Sequence, residues 1–190
     1  MEDKYVLDVF KDHSVLKVLN IMTISITILS FAVFYLLELF AAGGESSALA
    51  GFDQLGVFGA VFFVMALLFA IITFHEAIHG LFFKIFAPSG RVRFGYKSGM
   101  FYAAAPGEVF SRGRFIIIIL MPFIIITTLM LILMMTTSHG AFKYLLALHT
   151  GACAGDFYYV YLLMRKNHMK FVEDTEVGMT MYRSHPGGRN

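Results

Sequence analysis

Gly56–Phe83 reads GVFGAVFFVMALLFAIITFHEAIHGLFF, a run with no Lys, Arg or Asp and a single Glu. A helix rises 1.5 Å per residue, so about 20 such residues cross a hydrocarbon core roughly 30 Å thick, and the run predicts a transmembrane helix. Near its end stand His75-Glu76-Ala77-Ile78-His79. Residues four apart share one helix face, so His75 and His79 can hold one metal ion together. Glu76, one step round from His75, can reach a metal-activated water without binding the metal, the position of a general base. An ionisable residue inside a span costs about 2.5 kcal/mol or more, and those present usually face an interior and mark function. Three of them fall within five positions here.

Working outward, three further apolar stretches appear, at about 18–42, 115–137 and 142–164. Of 190 residues, 58% are hydrophobic and 15% charged, against about 45–50% and about 25% in soluble domains. The expectation is an all-α membrane protein of four transmembrane helices (18–42, 56–83, 115–137, 142–164) with a short β-hairpin between the second and third, forming a single membrane-embedded domain over 1–190 with a polar tail from 165 to 190. The segment MEDKYVLDVFKDHSVLK precedes a span longer than the roughly 7–15 apolar residues of a secretory signal, so the first span reads as an uncleaved anchor.

The net charge is only +2, but its placement is informative. Lys84, Arg91, Arg93, Lys97, Arg112 and Arg114 all lie between the second and third stretches, while the loop between the first two has no Lys or Arg. The positive-inside rule makes the middle loop cytoplasmic and, with four spans, both termini as well, which predicts a multi-pass protein of the cell membrane. The basic bias follows topology, and no nucleic-acid partner is expected. Cys153 is the one cysteine, which excludes an intrachain disulfide.

In the middle loop, Val92–Tyr96 and Met100–Ala103 flank Lys97-Ser98-Gly99 and predict a short β-hairpin. Its aromatic residues Phe94, Tyr96, Phe101 and Tyr102 are candidates for a clamp that receives an extended peptide by strand addition.

A catalytic zinc site takes three protein ligands and leaves room for water. Two acidic residues compete for the third place, Glu38 and Asp156. His75 precedes basic Lys84 by nine residues, and Asp156 precedes basic Arg165 by nine, so both sit about 13 Å inside the same membrane face, whereas Glu38 lies towards the other. Gly151 and Gly155 form a small-xxx-small spacing that would let the second and fourth spans approach and bring Asp156 to the histidines. His149 and Cys153 share the face of Asp156 and are candidates for supporting the ligands or polarising a substrate. A His/His/Asp set favours one zinc ion per chain over other divalent metals.

The combination of HEAIHG in a span, then FGYKSGMFYAAAPGEVFSR, GACAGDFYYVYLL and a tail VEDTEVGMTMYR resembles the zincin peptidases of bacterial membranes, a family similar in outline to the site-2 intramembrane metalloproteases. The resemblance runs from about Gly56 to Arg183. It implies His75 and His79 as zinc ligands, Glu76 as catalytic acid/base and Asp156 as third ligand. The metal site transfers from that family and the substrate does not. The metallopeptidase reading of the site itself leads to the expectation of a membrane-embedded or membrane-associated protein or peptide substrate, with the lipid bilayer around it. Where site-2 proteases carry their aspartate in a longer motif with Asn, Pro and Asp-Gly, this chain has GACAGD. Two other readings use the same residues: a non-proteolytic zinc-stabilised scaffold or regulatory subunit, which does not need Glu76 as a base, and a small transporter with Asp156 and the histidines as a proton relay, which needs no stoichiometric zinc.

Overall fold

The computed structural model describes residues 3–42, 56–97, 100–137, 140–176 and 178–187. The loop between the first two spans and the hairpin turn at 98–99 lie outside them. The described elements are β1 (Lys4–Asp8), α1 (His13–Ala42), α2 (Gly56–Phe86), β2 (Arg93–Lys97), β3 (Met100–Ala104), β4 (Val109–Ser111), α3 (Arg112–Thr137), α4 (Ala141–Ala152), α5 (Ala154–Arg165), β5 (Phe171–Thr175) and β6 (Gly178–Tyr182).

Local chemistry sets the helix ends. Asp12 caps α1, its Oδ1 accepting the N–H groups of Ser14 at 2.9 Å and Val15 at 3.2 Å. At the far end of α2, Pro88 disfavours helical backbone at the residue before it. Lys84 reaches beyond that end, donating to the Gly90 carbonyl at 2.7 Å.

Two expectations need correction. The chain is not all-α with one hairpin. β2 and β3 do pair, with Phe94 opposite Ala103 and Tyr96 opposite Phe101, but a separate four-stranded antiparallel sheet runs in the order β1-β6-β5-β4. Its strands come from the two tails and a three-residue piece of the middle loop, each too short and too polar to register as a strand by itself. Assembled, they show period-2 alternation: Val172 and Asp174 of β5 are buried, while Phe171, Glu173 and Thr175 are less so. Gly178 permits the sheet, because a Cβ there would collide with the Leu7 carbonyl of β1.

Nor are there four long apolar helices. Among the described residues three are long and apolar enough to cross a membrane: His13–Phe40, Gly56–Phe86 and Arg112–Thr137. The stretch taken as a fourth span, 142–164, breaks at Cys153 into α4 and α5 of 12 residues each, about 18 Å apiece and shorter than a bilayer core. Gly151 and Gly155 flank the break, and glycine is a poor helix former.

By packing, the chain forms two compact units. Met1–Leu19, His75–Pro122 and Gly155–Asn190 make up the first, and Asn20–Phe74 with Phe123–Ala154 the second. The first holds both sheets. Its core gathers Leu7 of β1, Phe83 of α2, Phe110 of β4, Phe115 and Ile118 of α3, Leu163 of α5, and Val172, Met179 and Met181 of β5 and β6.

The second unit has the reverse of a soluble pattern. Phe58, Phe62, Met65 and Phe69 of α2 and Ile24 and Ile28 of α1 are exposed, while Glu38 of α1 and Lys143 of α4 are buried as an ion pair at 2.6 Å. Lys143 lies within α4 and beside the rings of Tyr35 and Tyr144. Gly151 meets α1, where a Cβ would overlap the Thr27 hydroxyl, whereas Gly155 faces open space. The small-residue spacing therefore seats α4 on α1 and is not what joins the second and fourth stretches.

Candidate metal centre

His75 and His79 are one turn apart on the last third of α2, and Asp156 is in the first turn of α5. A carboxylate in a first helical turn is favoured by the dipole and the free N–H groups there, so the break at Cys153 gives Asp156 a better setting than the middle of a long span would. All three belong to the first unit. His75 Nε2 and His79 Nε2 are 3.1 Å apart, His75 Nε2 is 3.2 Å from Asp156 Oδ2, and His79 Nε2 is 3.5 Å from Asp156 Oδ1.

Those separations test whether a zinc ion fits. Ligand atoms about 2.0–2.1 Å from a tetrahedral ion lie roughly 3.3 Å from one another, and the three edges scatter around that value. Asp156 Oδ2 is buried and, despite the nearby His75 nitrogen, accepts no hydrogen bond from a described residue. Two imidazoles and a carboxylate that converge at such distances suit a cation among them.

His79 is held from behind. Its Nδ1 lies 3.0 Å from the carbonyl oxygen of Ile118 in α3. A carbonyl can only accept, so Nδ1 carries a proton, and in the neutral ring the lone pair is then on Nε2, where a metal could take it, the usual support of a histidine ligand. Glu76 accepts a hydrogen bond from the backbone N–H of Ala103 in β3, which ties the carboxylate to the hairpin. The hairpin rests on α2 through Phe94, whose ring occupies the place where a side chain on Gly80 would be. Phe94, Tyr96 and Phe101 lie on one hairpin face, with the Tyr96 and Phe101 rings 5.0 Å apart and all three substantially exposed. Tyr102 is on the other face, across Gly95.

His149 and Cys153 belong to the second unit. Both are buried, the Cys153 Sγ is 3.9 Å from His149 Nε2, and the His149 ring stacks near Phe123 with centroids 6.4 Å apart. Glu38 is engaged with Lys143.

One acidic residue escaped the sequence reading. Asp174 of β5 is buried, with backbone N–H groups of Ala105 and Thr175 on its carboxylate and Oδ2 left without a partner among the described residues. Burial pushes its pKa up to about 8. The available signal was its register, since it shares the inward face of β5 with Val172.

A family model described as "Putative zincin peptidase" matches residues 68–170, more than half of the chain and the part that contains His75, Glu76, His79, Asp156 and the hairpin. This chain belongs to that family. Zincin chemistry is zinc-dependent peptide hydrolysis, and His75, His79 and Asp156 are a group whose side chains could hold such an ion. No curated protein and no solved structure matches the chain.

Proposed function

We propose that this zincin hydrolyses peptide bonds within or beside the membrane, through a HExxH site of site-2-protease type that opens to the cytoplasmic side. The observation that carries the reading is the triangle of 3.1, 3.2 and 3.5 Å among His75, His79 and Asp156, with Glu76 on the same helical turn. Zinc bound there would polarise a scissile carbonyl and activate water at neutral pH. His75, His79 and Asp156 hold the ligand atoms in place, and the Ile118 carbonyl keeps His79 in the required tautomer. Glu76 takes a proton from the attacking water and later delivers it to the leaving amine.

Membrane placement is supported by the three long apolar helices and by the exposed apolar surface of α1 and α2. Sidedness is supported by the sheet. β1 precedes α1, β4 lies between α2 and α3, and β5 and β6 follow α5, yet all four strands pair together. Both tails and the basic middle loop thus share one side in this reading, and their Lys and Arg residues mark it as cytoplasmic. His75, nine residues before Lys84, is then about 13 Å from that face. A helical substrate has to unwind to expose a carbonyl, and the β2–β3 hairpin, bonded to Glu76 through Ala103, is the clamp for the extended form.

The test compares membrane proteomes of cells carrying wild-type or Glu76→Ala protein. Substrates accumulate in the mutant while its zinc content stays at one per chain; undiminished processing by Glu76→Ala would end the mechanism.

A further inference from the structure

We infer that Pro122 is a positioning residue for the zinc site, because it frees the one carbonyl that orients His79. In an α-helix the carbonyl of residue 118 would receive the N–H of residue 122. Residue 122 is a proline inside α3, with no N–H to give. Ile118 and Pro122 are both fully buried, so water does not reach the vacated oxygen, and an unpaired buried carbonyl is costly. The Nδ1–H of His79 fills the place, 3.0 Å from the Ile118 oxygen. The missing donor of Pro122 and the surplus donor of His79 answer each other. The bond fixes the His79 ring and leaves Nε2 3.1 Å from His75 Nε2 and 3.5 Å from Asp156 Oδ1.

Proline in an apolar helix is usually explained by the bend it introduces. The two roles separate chemically. Pro122→Ala restores an N–H at position 122, which competes with His79 for the Ile118 oxygen. A backbone ester at 122, made with the α-hydroxy acid analogue of alanine, has the same side chain but lacks the N–H, as proline does. If the freed carbonyl is what matters, alanine weakens the site and the ester does not.

This inference rests on His79 being a zinc ligand, and the experiment separates the two. Zinc affinity is measured on the full chain in detergent by competition with a chromophoric chelator, for wild type, Pro122→Ala and the ester. The expected result is a loss of about 10- to 100-fold for alanine, the usual effect of disturbing the support of a ligand, with wild-type affinity in the ester. Equal affinities in all three proteins overturn the role of Pro122 while leaving the ligand set intact, as does equal weakening of alanine and ester, which would make proline's shape the cause. Wild-type protein that binds no zinc overturns the ligand set and this inference with it. Histidine 15N spectra of the zinc-loaded wild type give a check that needs no variant to fold: His79 must carry its proton on Nδ1, and a proton on Nε2 refutes the proposal.

Discussion

Glu38 with Lys143 and His75 with His79 and Asp156 are both ionisable groups carried by apolar helices, but they are completed differently. In the second unit, the carboxylate and ammonium are 2.6 Å apart, each side chain only 4% exposed, and neither needs anything from outside the chain. In the first unit, two neutral-capable imidazoles face a carboxylate across edges of 3.1–3.5 Å, and one carboxylate oxygen has no hydrogen-bond partner among the described residues. A buried ion pair is a closed structure, whereas two imidazoles and a carboxylate converging at these distances could receive a cation. Both stretches put charge in an apolar helix, and the geometry of the partners is what separates the two.

The largest effects should come from the candidate metal site. Glu76→Gln is expected to lower hydrolysis by about 10²- to 10⁴-fold, the usual contribution of a general base, with zinc stoichiometry unchanged. His79→Ala should lose both zinc and hydrolysis. Metal analysis beside a peptidase assay separates the two, and a Glu76→Gln protein that lost its zinc would place that carboxylate among the ligands.

The closed pair should respond in stability and not in metal. Lys143→Met leaves Glu38 charged and buried with its partner removed, which typically costs about 3–5 kcal/mol. Adding Glu38→Gln should recover most of that loss, while zinc affinity stays at the wild-type value throughout. Denaturant unfolding in detergent measures it, and a single mutant as stable as wild type would show that the pair does not hold α1 and α4 together.

Asp174 is a third arrangement, a buried carboxylate with no ion-pair partner and no place in a metal-holding group among the described residues. Its pKa rises from 3.8 to about 8, chiefly through burial, with nearby His79 and the backbone N–H groups of Ala105 and Thr175 opposing the rise and Glu76 adding to it. Between about pH 4 and pH 8 the unfolded chain has released this proton and the folded chain retains it. Folded protein therefore binds more protons, and stability falls as pH rises through that window, by at most about 1.4 kcal/mol per unit. Asp174→Asn should flatten the dependence in chelator-treated protein; an unchanged slope would mean that the carboxylate is already ionised in the fold.

For the candidate metal site, helical arithmetic sets His75 and His79 one turn apart, and equal nine-residue distances to Lys84 and Arg165 were the sequence's reason for grouping Asp156 with them; the fold instead carries Asp156 in the first turn of the short helix α5. The hairpin was legible from alternation around Lys97-Ser98-Gly99. The four-stranded sheet was not, since KYVLD, VFS, FVEDT and GMTMY are each short and find their partners far along the chain. The break at Cys153 was hidden by average hydropathy, which does not distinguish one helix from two with a glycine on either side. The support of His79 was invisible for another reason: a proline announces a missing donor but not which side chain will take the carbonyl it frees.

Gly151 and Gly155 give the finest contrast between the two regions. As a spacing motif they look equivalent, but Gly151 lies against Thr23 and Thr27 of α1, while nothing approaches within 4 Å of the Cβ position at Gly155. Gly151→Ala must push α4 away from α1 or displace the Thr27 side chain, and overpacking of this kind costs about 1–3 kcal/mol. At Gly155, in the first turn of α5, alanine adds helix propensity without a clash and should stabilise the fold by about 0.4–1 kcal/mol. Thermal unfolding of the two variants should therefore shift in opposite directions. Equal destabilisation by both would show that close approach at Gly155 also matters, and that the region around Asp156 is packed as tightly as the one around the Glu38–Lys143 pair.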